Sequence, residues 1–400
     1  MMPLRDVKVL DLGKVIAGPI CGQWLGDLGA EVVKVEPVTV GDDTRAWPPH
    51  TSGESAMFLA FNRNKRSLAV DLKTAEGREI VHRLAGQSDI VIQGFGAGAA
   101  ERLGVDYKTL SALKPDLIYC EISGYGRSGP MGNLPGYDVM MQAFSGMIGT
   151  MGHEGGPTVR VSFSPIDQST GMHALSGIMA ALIERARSGK GAFLEVSLFE
   201  TAMGLLGYMA SSFWQGGEVP RRMGSGHPTL CPYQAFDAAD GALLLAIGND
   251  GQWRRFCDIA GLQDVKDDER FATNAARVKN FSATVERVAA KIAEDTVAGW
   301  VTRLAEARVP CSAVNTLMEA LQHQQFDVRE IAVKQAHPTL GEIRTVAYPV
   351  TFNSKKTEAR MPPPLHGQHT FEILGNLGYD HKTVADMASK GIVVGREAAS

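Results

Sequence analysis

The sequence is poor in the features that announce specialised architectures. Five cysteines in 400 residues, at 21, 120, 231, 257 and 311, form no CxxC pair, so neither a disulfide frame nor a zinc knuckle is indicated. Such thiol usage fits a reducing cytoplasm. No uninterrupted apolar run has the length of a membrane span. The opening MMPLRDVKVLDLG carries charge within its first apolar run and lacks a signal-type cleavage region. A formal charge of −4, with no basic stripe, argues against a nucleic-acid partner. The glycines at 13 and 18 do not make GxGxxG, so no nicotinamide dinucleotide is expected.

What is present is an ordinary globular composition, 44% hydrophobic and 21% charged, in a chain long enough for two domains. Val7–Leu12, a turn, a helix-like Ile20–Leu28 and the alternating Glu31–Glu36 follow one another in the order that opens a parallel α/β sheet. The pattern continues with a strand in FNRNKRSLAVDLK, a helix over Ala75–Ala85, and strands at Asp89–Gln93 and Ile118–Ile122. Several of these strands run into polar or glycine-rich loops, where ligands of open α/β sheets sit. The four basic residues of the FNRNKRSLAVDLK segment read equally well as a strand edge made soluble. The expected fold class is α/β. A large Rossmann-like domain spans 1–205 and is completed by 330–400, 206–225 is a linker, and a smaller α+β domain spans 226–329.

One carboxylate stands out. Asp167 lies where a Pro-bearing turn enters a helix whose apolar residues Met172, Leu175, Ile178, Met179 and Leu182 recur at helical spacing. Taken alone, an Asp in this position reads as an N-cap. Read as a reagent, it would be held ionised by the first-turn N–H groups and the helix dipole.

The ordered set VLDLGKVIAGP, LGAEVVKVEP, NRNKRSLAVDLK, FGAGAAERLG, ISGYGRSGP, LPGYD, PIDQSTGMHALSGIMAAL and PPPLHGQHT resembles the class III CoA-transferase family, which includes formyl-CoA:oxalate and carnitine CoA-transferases. The resemblance implies that Asp167 is a nucleophile that becomes an aspartyl-CoA thioester. It further implies coenzyme A as a substrate moiety with no tightly bound cofactor or metal, acyl-CoA and carboxylic acid as partners, and an interlocked homodimer. By the same resemblance CoA is contacted by Val15, Ile16, Val70, Lys73, Phe95, Arg102 and Tyr125. Lys73 and Arg102 suit phosphates, although Arg102 could instead pair with Glu101 or Asp106, and Tyr125 could be a core aromatic.

The sequence departs from the family pattern at Ile16, Pro37 and Ser123, where some relatives carry glutamine, a basic residue and lysine. The four-glycine loop of the oxalate enzymes has no counterpart; its nearest equivalent is Met223–Pro228. Tyr137, Gly224, Gly226 and His227 are the candidate acceptor contacts, with His227 equally readable as a capped or exposed histidine. Arg127, Arg221, Arg222 and His227 offer cations at the expected mouth, which points to a small di- or tricarboxylate acceptor and a succinyl-CoA-type donor. Three alternatives accompany this reading. One is intramolecular transfer of the mesaconyl-CoA type. Another is an α-methylacyl-CoA racemase, in whose Gly-His-Asp motif the imidazole would have to be Tyr137. The last is a non-catalytic CoA-binding protein.

Overall fold

The computed structural model describes residues 2–396. The chain divides into two compact units, one of residues 1–145, 161–206 and 325 onward, the other of 146–160 and 207–324.

The first unit is built on a seven-stranded sheet. Along it stand Val393–Val394, Lys65–Val70, Glu31–Glu36, Lys8–Leu12, Ile90–Gln93, Ile118–Ser123 and Ala192–Ser197. The six longer strands are mutually parallel, in sequence order 3-2-1-4-5-6, and only Val393–Val394 runs antiparallel, against Lys65–Val70. That is the Rossmann order. The order reverses between Lys8–Leu12 and Ile90–Gln93, so a crevice opens at the carboxyl ends of those two strands. Their apolar runs are covered on both faces, and Leu10, Leu12, Val91 and Ile92 are all buried.

The helix after Asp167 spans Pro165–Ser188 and ends on Gly189, whose φ of 71° lets its N–H reach the carbonyl of Arg185. Its buried face follows the one the large apolar residues outline in part. Of the residues that outline it, Leu175 and Ile178 are buried and Met172 is exposed, while the small residues Thr170, Gly171, Ala174 and Ala181 complete the buried face. Small residues win because this helix lies directly on the helix Ala17–Asp27. A Cβ on Gly171 would stand 2.3 Å from Ile20 Cγ2 and 2.8 Å from the carbonyl of Ala17. The absent side chain brings the start of the long helix up to the loop after the first strand.

The second unit has a three-stranded antiparallel sheet, ordered Cys311–Ala313, Gly241–Ala246 and Tyr233–Ala238. Helices Asp250–Ala260, Phe281–Ile292 and Val297–Glu306 close a core around Trp253, Phe256, Leu245 and Trp300. Of residues 206–225, expected as a linker, all but 206 belong to this unit and contain the helix Gly207–Gly216; 146–160 belongs to it as well. Among the described residues no helix is long and apolar enough to cross a membrane.

Candidate active site

Four basic residues in the FNRNKRSLAVDLK segment suggest a solvated strand edge, and two of them are the reverse of that. Arg63 and Lys65 are fully buried. Lys65 Nζ donates to Asp11 Oδ2 at 2.8 Å, the Pro19 carbonyl at 2.7 Å and Asn62 Oδ1 at 2.9 Å. Burial lowers its pKa to about 8 against the pull of Asp11. Arg63 clasps both oxygens of Asp27 at 2.9 and 2.6 Å. These charges stay inside because each is paired and hydrogen-bonded.

The same network fixes the first loop. Asp11 Oδ1 accepts the N–H of Gly13 at 2.9 Å, and Lys34 Nζ donates to the carbonyl of Gly13 at 2.9 Å. Lys34 also pairs with Asp42 at 2.8 Å. Burial alone would raise the Asp42 pKa, yet Lys34 and Thr44 hold it at about 2. Asp42 Oδ1 accepts the N–H of Val15 at 3.3 Å. Val15 adopts a φ of 68°, rare for a β-branched residue and costing about 1–3 kcal/mol. Strain of that kind persists only where the surroundings impose it.

Above this loop lies Asp167. Sequence reasoning offers it the role of helix cap, and the structure gives that role to another residue. The N-cap position, Ser164, makes no side-chain capping bond. Instead Asp138 Oδ2 accepts the N–H groups of Ile166 at 2.8 Å and Asp167 at 3.0 Å. Pro165 has no N–H to offer, and the N–H of Gln168 goes to the Ser164 carbonyl. Asp138 is itself fixed by Gln142 Nε2 at 2.5 Å. With the first-turn donors spoken for, no hydrogen bond reaches the Asp167 carboxylate among the described residues. The expectation of a carboxylate held ionised is thereby reversed. Burial first, then the charge of Asp138, push the Asp167 pKa up to about 7.

Asp167 lines a cavity of about 230 Å³ together with Val15, Ile16, Phe95, Ser123, Gly124 and Tyr137. The backbones of Gly124 and Gly136 touch there, since a Cβ on Gly136 would lie 2.7 Å from Gly124 Cα. A second cleft of about 300 Å³ runs along the ends of the neighbouring strands and holds Val70, Lys73 and Phe95. Phe95 and Lys14 border both. Lys14 escaped the sequence reading, although its place in the loop after the first strand, next to Val15, was the available signal.

Two proposed contacts lie outside both clefts. Arg102 is exposed and pairs with neither Glu101 nor Asp106. Tyr125 is half-buried and packs against Phe144 and Phe199, ring centroids 5.2 and 6.4 Å away. Two of the expected free cations are also committed. Arg127 pairs with Glu121 and donates to the Phe95 carbonyl at 2.6 Å, and Arg222 donates to the carbonyls of Gly149 and Gly156.

Gly224, Gly226 and His227 lie in the second unit, along a cavity of about 600 Å³ that also includes Arg221 and Tyr208. His227 Nδ1 accepts the N–H of Thr229 at 3.2 Å. A Cβ on Gly224, at a φ of 59°, would strike the His153 ring at 2.6 Å. Among the described residues no group of three or more His, Cys, Asp or Glu side chains is placed to hold a metal.

A Rossmann-ordered sheet with an unpaired, buried carboxylate at its switch point is a geometry that can be compared with known proteins. The model of CoA-transferase family III matches residues 4–370. The chain belongs to that family. It is 37% identical to a succinyl-CoA:glutarate CoA-transferase of Mus musculus over 98% of this chain and 91% of the relative. Against a succinyl-CoA–D-citramalate CoA-transferase of Chloroflexus aurantiacus the identity is 32%, covering 98% of each. The crystal structure of a CAIB/BAIF family protein from Brucella suis superposes with a TM-score of 0.83 at 36% identity, over 94% of this chain and 99% of that one. Family III is a family of enzymes with coenzyme A as a substrate moiety, and the α/β fold described above is the one its members share.

Proposed function

We propose that this family III enzyme moves CoA from an acyl-CoA to a free carboxylic acid through a thioester on Asp167. The observation that carries the reading is the division of labour at the helix start: Asp138 caps, and Asp167 is left buried, unpaired and facing a cavity. A desolvated carboxylate is a better nucleophile than a hydrated one. Its attack on the thioester carbon expels CoA thiolate and leaves a mixed anhydride. The thiolate then attacks the aspartyl carbonyl, releasing the donor's acid and forming aspartyl-CoA. An incoming carboxylate repeats the two steps in reverse, so every bond broken is matched by one formed. Water must be excluded, because hydrolysis of either intermediate wastes the thioester. The buried position of Asp167 suits that need.

Coenzyme A then lies with its acyl end at Val15, Ile16 and Asp167 and its nucleotide along Val70, Lys73 and Phe95, where Lys73 supplies the phosphate charge. A diacid acceptor and a succinyl-type donor are favoured by the names of the two relatives above. A homodimer belongs to the same proposal, with mass in solution as its check. Racemisation needs a base on each side of an α-carbon. Among the described residues no histidine lines the Asp167 cavity, and Tyr137 stands where that chemistry would want one.

The test is an acyl-transfer assay with Asp167→Ala. Lost transfer with retained CoA binding supports the nucleophile and excludes a simple binding protein; undiminished transfer overturns the reading. Trapping with hydroxylamine should mark the Asp167 peptide in the wild-type enzyme.

A further inference from the structure

Two cationic side chains line the Asp167 cavity, Lys14 and Arg127. Arg127 is already held by Glu121 and the Phe95 carbonyl. Lys14 is not held in this way. Its ammonium has one ionic partner among the described residues, Asp43, at 3.9 Å, beyond the reach of a charge-assisted hydrogen bond. Both side chains of that pair remain partly open to solvent, 37% and 47% exposed. The backbone beneath Lys14 is the opposite of loose, since Asp11 and Lys34 grip Gly13 and Asp42 grips Val15. A weakly paired ammonium is thus carried by a tightly held loop at the chamber where the acid must react. The neighbouring cleft, which Lys14 also borders, has a cation of its own in Lys73.

We propose that Lys14 binds the far carboxylate of an acid whose near carboxylate reacts at Asp167, and so makes the enzyme selective for small diacids. The proposal rests on the reading of Asp167 as the residue that accepts CoA. An ionised group entering a chamber of about 230 Å³, roughly eight waters at about 30 Å³ each, needs a charged partner in place of its hydration. A four- or five-carbon diacid is of that size. The same contact serves donor and acceptor, because the released acid and the incoming one occupy the chamber in turn.

The test follows formation of aspartyl-CoA from two donors of equal chain length, succinyl-CoA and butyryl-CoA, by hydroxylamine trapping and mass spectrometry of the Asp167 peptide. In Lys14→Met the trapping rate with succinyl-CoA should fall by roughly tenfold to a hundredfold, the size of a lost hydrogen bond between charged groups, and the rate with butyryl-CoA should hold. Lys14→Glu should reverse the preference, making butyryl-CoA the faster donor. Lys14→Arg should keep the wild-type order. An equal loss with both donors would place Lys14 on the CoA moiety and overturn the proposal, as would no loss with either. Absence of trapping in the wild-type enzyme would instead bring down the Asp167 reading itself. Unchanged circular dichroism and melting of each variant separate these outcomes from misfolding.

Discussion

Two aspartates at the carboxyl edge of one sheet show how burial can be put to opposite uses. Asp42 accepts the N–H of Val15, and against its burial Lys34 and Thr44 hold its pKa at about 2. Asp167 receives no such partner, and burial with the nearby Asp138 takes it to about 7. The first is a strut, ionised at any ordinary pH and spent on shaping a strained loop. The second keeps its reactivity because the groups that would have calmed it are occupied by Asp138.

The comparison breaks most sharply at the reagent. Asp167→Ala should lower transfer by roughly a thousandfold or more while leaving the fold intact, since reacting groups of this kind are not replaceable. Rates with any acyl-CoA donor that the wild type accepts would check it. At the strut the damage should fall on the fold instead. Lys34→Met strands Asp42 in the interior and should cost about 3–5 kcal/mol in chemical denaturation. Replacing both residues by apolar ones of similar volume should recover much of that loss and yet leave the Val15 N–H without its acceptor, so transfer stays impaired in a stable protein.

Asp167 should also be a stability liability. An unfolded chain titrates it near 3.8, the folded chain near 7, so the folded state holds the extra proton between those values. Above pH 7 both states are ionised and folding bears the whole cost of burial and of the Asp138 charge, on the order of 4 kcal/mol; the cost fades as the pH falls toward 4. Asp167→Asn should therefore melt higher than wild type at pH 8 and show little gain at pH 4. A gain independent of pH would mean that charge is not its source.

How much of this could be read beforehand divides along the same line. The strand Glu31–Glu36 was legible because it alternates, and the helix Ala75–Ala85 because its apolar residues recur at helical spacing. Asp167 was legible as a position, but its environment was not. Its neighbour Asp138 lies 29 residues away on another helix, and nothing in the local sequence marks the two as partners. For the same reason Arg63 and Lys65 looked like surface charge. Their partners Asp27 and Asp11 come from other elements, and nothing local marks a lysine as buried. Tyr125 and Arg102 were assigned by resemblance alone, and neither lines either cleft.

The smallest expected effect is the most diagnostic of the cap-and-reagent pair. Asp138→Asn keeps an oxygen for the N–H groups of Ile166 and Asp167 but removes the negative charge beside the Asp167 carboxylate. It also sets an amide against Gln142 Nε2, which cannot turn over freely because Gln142 Oε1 accepts the N–H of Val161 at 2.9 Å. One hydrogen bond is lost, about 1 kcal/mol of stability. In the wild type, kcat/KM should rise with pH through a limb near 7, as Asp167 ionises in the free enzyme. In Asp138→Asn that limb should move to lower pH, because one of the two causes of the raised pKa is gone. Burial, the larger cause, remains, so the limb should stay above the ordinary aspartate range. A limb that does not move would show that the titrating group is not Asp167, and the contrast between the two aspartates would lose its chemical half.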